Sequence, residues 1–298
     1  MAFFYGLVWK THIAQGPSIL KQHGTDDAIQ ILGLCRFSVP SFGAFQVTHD
    51  SIEARRAMLY DPKRLHTRFM WFEHVFLPGI RAQTDLNFRL IVLVGNDLPE
   101  IWLEQLHGLV QDTPQIVIEF APPWKHRVVC AKAMAKHIDP SAVAVAQFRL
   151  DDDDAVAVNF VERLRADFDR LLPQFQRDGM MAIDYARGIV LRNAAAGLMV
   201  EPVITRYWTP ALAVITPADT EKFILDFRHH ILWREMTSIV MQDEIMFVRG
   251  AHDTNDSAIS PSDAAYDLPD ADVALILRDR FAINFAGFSR ALAALRNS

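Results

Sequence analysis

Residues 143–154 have the sequence VAVAQFRLDDDD, in which an apolar run ends in four consecutive carboxylates, Asp151 to Asp154. The apolar run predicts a buried strand, and the aspartates then lie at its carboxyl end. Four adjacent carboxylates repel one another, so a chain normally avoids them unless a divalent cation or a phosphate-bound metal balances the charge. The run therefore predicts a magnesium or manganese site. The structural alternative is a polar loop whose acids cap the next helix.

Strands and helices alternate along the chain before this run. Buried strands are predicted at residues 31–39, 90–94 and 116–120. Helices are predicted after each of them, and the first begins near Asp61-Pro62 and is expected to end at Pro78-Gly79. This alternation predicts an α/β fold with a mostly parallel sheet flanked by helices. Ligands of such sheets bind beyond the carboxyl ends of the strands, where the aspartates lie.

The second half of the chain has a different pattern of predicted helices and strands. An amphipathic helix is predicted around residues 160–171, followed by short strands at 180–184, 188–191, 198–203 and 211–215. A helix is expected from about Asp219 to Trp233, and a last arginine-studded helix at residues 273–295. This half is predicted to be α+β and to shape a substrate pocket.

Composition excludes several classes of protein. The 298 residues carry 30 basic and 36 acidic side chains, a net charge of −6, with no long basic block, so nucleic acid is not an expected partner. Cys35 and Cys130 both lie in apolar stretches, which predicts buried, reduced thiols in a cytoplasmic protein. No apolar segment approaches the roughly 20 residues that a spanning helix needs.

Asp151 and Asp153 are the best candidates for a shared metal, because carboxylates two apart on an extended segment project to the same side. Common phosphate-loop, dinucleotide, hydrolase and zinc-protease motifs do not occur. Together with residues 69–73 (FMWFE), 77–80 (LPGI), 83–84 (QT), 88–93 (FRLIVL) and 149–154 (RLDDDD), the Asp-x-Asp pair resembles the bacterial family named "putative rhamnosyltransferase". The similarity extends over roughly residues 30–260.

The resemblance implies a GT-A-like glycosyltransferase of one domain, residues 1–298. Residues 30–158 would be its nucleotide-sugar-binding half, 159–260 its acceptor-side half and 261–298 a C-terminal helical extension. It implies a dTDP-, UDP- or GDP-linked sugar donor, with rhamnose among the sugars, and a polysaccharide or glycolipid acceptor. Such an enzyme is expected in the cytoplasm, with peripheral contact to the inner membrane face and a homodimer as further expectations.

Individual site residues follow from the same resemblance. It assigns Mn²⁺ or Mg²⁺ to Asp151, Asp153 and His252, and places Asp243, with Glu244 second, as the base of an inverting transfer at the start of a late helix. The alternatives are a helix-start charge pair for these two acids and a solvated loop position for His252. The residues expected at the donor are Arg36, Arg127, Lys132, Arg149 and Asp152. Arg149, embedded in a buried strand, should have an aspartate or a donor phosphate as its partner.

Two other functions remain open from the sequence. A Mg²⁺-dependent phosphoryl-transfer enzyme or phosphohydrolase would use an aspartate to attack a phosphate, but residues 36–39 (RFSV) at the end of the first strand offer none. A non-enzymatic metal-binding protein would hold calcium in the aspartate loop, but the Asp-x-Asp-x-Asp-Gly pattern with a distal Glu is missing.

Overall fold

The computed structural model of the protein describes residues 29–43, 51–255, 259 and 264–296. Strands in this part of the chain are β1 (Ile29–Phe37), β2 (Arg89–Gly95), β3 (Ile116–Ala121), β4 (Ala144–Arg149), β5 (Ala155–Val156), β6 (Met181–Tyr185), β7 (Arg187–Ala194), β8 (Gly197–Ile204), β9 (Leu212–Pro217), β10 (Thr237–Met241) and β11 (Phe247–Ala251). The α-helices are α1 (Ile52–Leu59), α2 (Pro62–Trp71), α3 (Leu77–Arg81), α4 (Glu100–Val110), α5 (His126–Ala135), α6 (Phe160–Asp178), α7 (Asp270–Phe281) and α8 (Phe285–Arg296).

Seven strands form one sheet in the order β3-β2-β1-β4-β9-β6-β10, in which only β9 is antiparallel to its neighbours. The central strands β1, β2 and β4 are buried almost throughout, as continuous apolar runs covered on both faces require. This confirms the predicted α/β class, with a mostly parallel sheet flanked by helices. A second sheet, β5-β11-β7-β8, begins directly after the aspartate run.

The first long helix does not end at Pro78-Gly79, so that prediction is wrong. Helix α2 continues through a π-helical turn, Phe72–Phe76, into α3. Proline has no N–H for the usual bond to the residue four positions earlier. The wider π-turn just before Pro78 changes the bonding pattern there, and the chain stays helical to Arg81. Gly79 allows close packing, since a Cβ on it would lie 2.7 Å from the carbonyl oxygen of Val156.

The helix expected from Asp219 to Trp233 is also absent from this segment, which forms two short 3₁₀ turns, Ile224–Asp226 and His229–Arg234. One nearby and one distant side chain accept backbone N–H groups at the start of this segment. The carboxylate of Asp226 accepts from the N–H of Phe223 over 2.9 Å, and Oε1 of Gln147 in β4 accepts from the N–H of Ile224 over 3.0 Å.

The C-terminal segment forms two helices instead of the single one predicted. Ala282 separates α7 from α8 with a left-handed φ of 56°, and Phe281 and Phe288 on either side are fully buried. No helix in the described part of the chain is long and apolar enough to cross a membrane. Cys35 and Cys130 are buried and unbridged, as predicted. The predicted boundary at residue 260 lies outside the described residues, and the division into halves stays a prediction.

Candidate active site

The aspartate run lies at the carboxyl edge of the large sheet, directly after β4. Because β1 and β4 are parallel, with Leu34 beside Arg149, the residues that follow these two strands meet at this edge. Leu150 donates its backbone N–H to the carbonyl of Leu34 over 3.1 Å, and Asp154 donates to the carbonyl of Asp151 over 3.0 Å. The run thus forms a turn beside the end of β1, at the position expected from the sequence.

Arg68, on α2, bridges the two middle aspartates. Its Nε donates to Oδ2 of Asp152 over 2.8 Å, and its Nη1 donates to Oδ2 of Asp153 over 3.1 Å. All three residues are buried, with exposed fractions of 7% for Arg68, 1% for Asp152 and 2% for Asp153. A planar guanidinium suits this bridge, because its donors form a fixed fork that can serve two carboxylates at once.

Asp153 has two further partners from the segment after β11. Nε2 of His252 lies 2.9 Å from its Oδ2, and Nδ2 of Asn255 donates to the same oxygen over 2.5 Å. His252 stacks on Trp71, with ring centroids 4.8 Å apart. Burial by itself raises the pKa of Asp153, but Arg68 and His252 outweigh it and hold that pKa well below its ordinary value. The structure therefore brings the two predicted metal ligands Asp153 and His252 into direct contact with each other.

Asp151 is bonded to Arg36 at the end of β1. Nη1 of Arg36 also donates to Nε2 of His126 over 3.2 Å, so the proton of this imidazole is on Nδ1, which faces Oγ of Ser41 at 3.2 Å. Burial, and then Arg36, lower the pKa of His126 to about 3 and keep the ring neutral. Burial raises the pKa of Asp151, but Arg36 and Arg149 outweigh it, and the pKa falls to about 2.

Asp154 connects the aspartate run to the second sheet. Its Oδ1 accepts the backbone N–H of Gly250 in β11 over 3.0 Å. Only glycine fits at that position, because a Cβ would lie 2.4 Å from the carbonyl oxygen of Asp153. Burial, and then the charge of Asp153, raise the pKa of Asp154 well above its ordinary value. This residue thus has a structural role, and the four aspartates are not equivalent.

The carboxylates assigned to a metal do not fit a divalent cation in this arrangement. Magnesium and manganese need several carboxylate, carbonyl or water oxygens around one point. Oδ2 of Asp153 faces Arg68, His252 and Asn255, and Asp151 is bonded to Arg36. Among the described residues, no group of three or more His, Cys, Asp or Glu side chains is arranged to hold a metal ion. The binding of Mn²⁺ or Mg²⁺ at this site remains a prediction from the sequence.

A cavity of about 620 Å³ opens beside the aspartate run. Four of the residues predicted to bind the donor, Arg36, Arg127, Arg149 and Asp152, line its wall. Lys132, the fifth, is exposed on α5 and is not among the lining residues. Burial, and then Arg36, lower the pKa of Arg149 to about 10, so Arg149 stays charged at neutral pH.

Several arginines of this cavity were missed by reasoning from the sequence. A detectable signal existed for two of them: Arg64 and Arg68 are four residues apart on α2, directly before the buried Leu65 and Phe69. Residues with this spacing share one side of a helix, so both arginines had to border its buried face. The missed arginines that line the cavity are Arg55, Arg64, Arg68, Arg228 and Arg249.

The predicted base lies elsewhere on the same edge of the sheet. Asp243 and Glu244 follow β10 in the turn to β11, so their expected position at the start of a helix is wrong. Arg163 of α6 donates to Asp243 over 2.9 Å and to Glu244 over 2.8 Å. Strand β10 lies three strands away from β4 in the large sheet. At about 4.8 Å between neighbouring strands, the two strands are roughly 14 Å apart. Neither acid is among the residues that line the cavity.

Comparisons with known proteins give distant structural similarities and one family match. S. aureus TarS in complex with UDP-GlcNAc aligns with a TM-score of 0.42 and 12% identity over 88% of this chain and 74% of that chain. A second S. aureus TarS structure aligns with a TM-score of 0.41 and 10% identity over 74% of this chain. The aligned part spans 60% of that TarS chain. A 4-diphosphocytidyl-2C-methyl-D-erythritol synthase from Anaerococcus prevotii aligns with a TM-score of 0.30 and 8% identity over 85% of this chain and 97% of that chain.

A search of curated proteins finds no match. The model of the family described as "Putative rhamnosyl transferase" matches residues 30–263, most of the chain, and the protein belongs to that family.

Proposed function

We propose that the protein is a glycosyltransferase that moves a sugar from a nucleotide-diphosphate sugar to a saccharide or glycolipid acceptor. The arginine-rich cavity at the carboxyl edge of the parallel strands is the observation that carries this proposal. Its volume of about 620 Å³ is typical of small-molecule sites, and open α/β sheets bind ligands at this edge. The description of the family supports the same reaction and makes rhamnose the first sugar to test.

The charge of the cavity suits a diphosphate. Among the described residues, eight arginines line it against four aspartates, a surplus of at least four positive charges when the histidines are neutral. Guanidinium groups bind phosphate oxygens in bidentate fashion, with charge-assisted hydrogen bonds that are stronger than neutral ones. A nucleoside diphosphate brings the matching negative charge, and in the transition state the departing nucleotide gains more of it.

Transfer also needs a group that activates the acceptor. A sugar hydroxyl is a poor nucleophile until a base takes its proton. Asp243 is our candidate for an inverting reaction, because it is ionised and lies on the same edge of the sheet as the aspartate run. A hydrogen bond from Arg163 lowers the pKa of Asp243. Arg163 bonds one oxygen of this carboxylate, Oδ2, and a carboxylate has further acceptor positions, so an acceptor hydroxyl can approach Asp243 without displacing Arg163.

Phosphoryl transfer through an attacking aspartate is less well supported by this site. Asp152 and Asp153 are buried and bonded to Arg68, and Asp154 is bonded to the backbone of Gly250. An attacking carboxylate has to reach a phosphorus atom, and these three carboxylates are held inside the protein.

A donor panel tests the proposal. The purified protein is incubated with dTDP-rhamnose, UDP-sugars and GDP-sugars, with and without Mn²⁺, and released nucleoside diphosphate is measured together with product formation on saccharide acceptors. We expect release from one nucleotide class, and we expect Arg149→Gln to reduce it about tenfold or more through lost phosphate contacts. Arg177→Gln, an exposed position on α6, is the matched control. Absence of both release and nucleotide binding across the whole panel would refute the proposal.

A further inference from the structure

We propose that arginine side chains take the place of a divalent cation at this site, so that the protein binds the nucleoside diphosphate of its donor without metal. This inference rests on the proposed function and concerns the same cavity. It combines two features of the structure: the aspartates already have protein cations as partners, and further arginines remain around the cavity for the ligand.

The first feature is the position of Arg68. A bridging metal would have to approach the carboxylates that the guanidinium already bonds, Asp152 and Asp153. Arg68 is 7% exposed and is held inside the protein by both carboxylates at once. Two cations at one set of oxygens repel each other, so a metal could enter only after Arg68 had left a buried position.

Asp151 also has a protein cation as its partner. This aspartate is bonded to Arg36, and Arg36 in turn donates to the neutral ring of His126 over 3.2 Å. The guanidinium is thus positioned from both sides. Asp151 and Asp153, the pair expected to share a metal, therefore each have their own arginine.

Positive charge remains after these aspartates are compensated. Arg149 lines the same cavity as Arg36 and Arg249, and both like charges lower its pKa after the larger effect of burial, while Asp151 raises it. Nε of Arg149 is buried and has no hydrogen-bond partner in the described part of the chain. Arg249 stands over the ring of Trp208, 4.7 Å from its centroid. Clustered like charges are unfavourable unless an anion joins them, so these arginines form a phosphate site.

Calorimetric titration of the purified protein with UDP, GDP and dTDP, in EDTA and again in excess Mn²⁺, tests the inference. We expect one nucleotide to bind in EDTA, with a Kd within about twofold of its value in Mn²⁺. Binding that needs Mn²⁺, or that improves about tenfold or more with it, would overturn this inference and leave the proposed function standing. Failure of all three nucleotides to bind under either condition would overturn the proposed function as well.

Variants assign the binding to these arginines. Arg149→Gln and Arg249→Gln should each weaken nucleotide binding in EDTA about tenfold or more, whereas Arg177→Gln on the exposed face of α6 should leave it unchanged. Two separate cavity variants are used, and circular dichroism checks that each one is folded. Unchanged binding in both folded variants would refute the phosphate site.

Discussion

Replacing Arg68 with methionine removes the guanidinium that bridges Asp152 and Asp153 and keeps much of the aliphatic volume of the side chain. The two carboxylates, 1% and 2% exposed, then lose their shared cation inside the protein. Removing one partner of a buried ion pair costs about 3–5 kcal/mol of folding free energy. Asp153 keeps His252 and Asn255, so we expect a loss of about 3 kcal/mol, at the lower end of that range.

The pH dependence of this loss provides an independent check. Arg68 holds the pKa of Asp153 below the unfolded value of about 3.9, so the pair stabilises the protein above pH 3.9 and loses that effect as the pH falls through the folded pKa. The difference between wild type and Arg68→Met should therefore be full at pH 7 and shrink below about pH 4. Urea denaturation at several pH values measures it.

Excess Mn²⁺ gives the third arm of this experiment. If Arg68 occupies the position of a divalent metal ion, Mn²⁺ should raise the Tm of Arg68→Met and leave the Tm of the wild type unchanged. Arg278→Met, which removes an exposed arginine paired with Asp279, should show neither the loss nor the rescue. A loss below about 1 kcal/mol at pH 7, the range of surface ion pairs, would refute the assignment of Arg68 as the compensating cation.

Three further predictions concern other parts of the chain. Asp243→Asn should abolish sugar transfer and leave the Kd of the nucleotide unchanged by titration; retained transfer would exclude Asp243 as the base. Gly250→Ala should cost about 1–3 kcal/mol in denaturation experiments, because its Cβ would meet the backbone of Asp153 at 2.4 Å, whereas Gly108→Ala, with open space on α4, should not destabilise the protein. Burial raises the pKa of Asp184 to about 7, so its contribution to stability is full below the unfolded pKa of about 3.9 and is lost as the pH rises through 7. Asp184→Asn should flatten the Tm over that range, and an unchanged profile would contradict the assignment.

The strands of the large sheet were predictable because their signal is local. Buried parallel strands are continuous apolar runs, and their lengths and spacing do not depend on which partner they meet. Residues 90–94 were predicted and β2 spans Arg89–Gly95; residues 116–120 were predicted and β3 spans Ile116–Ala121. The position of the aspartates at the edge of the sheet followed from the end of the fourth run.

The predictions that failed did so because the deciding contacts are distant in sequence. Nothing near residues 219–233 indicates that Gln147, some 77 positions earlier, takes the N–H of Ile224 and favours a short 3₁₀ turn. Likewise, Arg68 meets Asp152 across 84 positions of sequence. The i, i+4 spacing of Arg64 and Arg68 indicates that both border a buried face, but the carboxylates that Arg68 meets depend on how α2 packs against the end of β4.

Both acidic groups that the sequence singles out are compensated by arginines from distant helices. Arg68 of α2 serves Asp152 and Asp153, and Arg163 of α6 serves Asp243 and Glu244. A buried carboxylate that stays charged without a cation costs several kcal/mol, and a carboxylate pattern in the sequence looks the same whether the cation that meets it is a metal or a guanidinium. The pattern therefore locates the charge, and only the fold identifies its partner. At the aspartate run the partners are Arg68 and, for Asp151, Arg36, which leaves the remaining arginines of the cavity for the phosphates of a ligand.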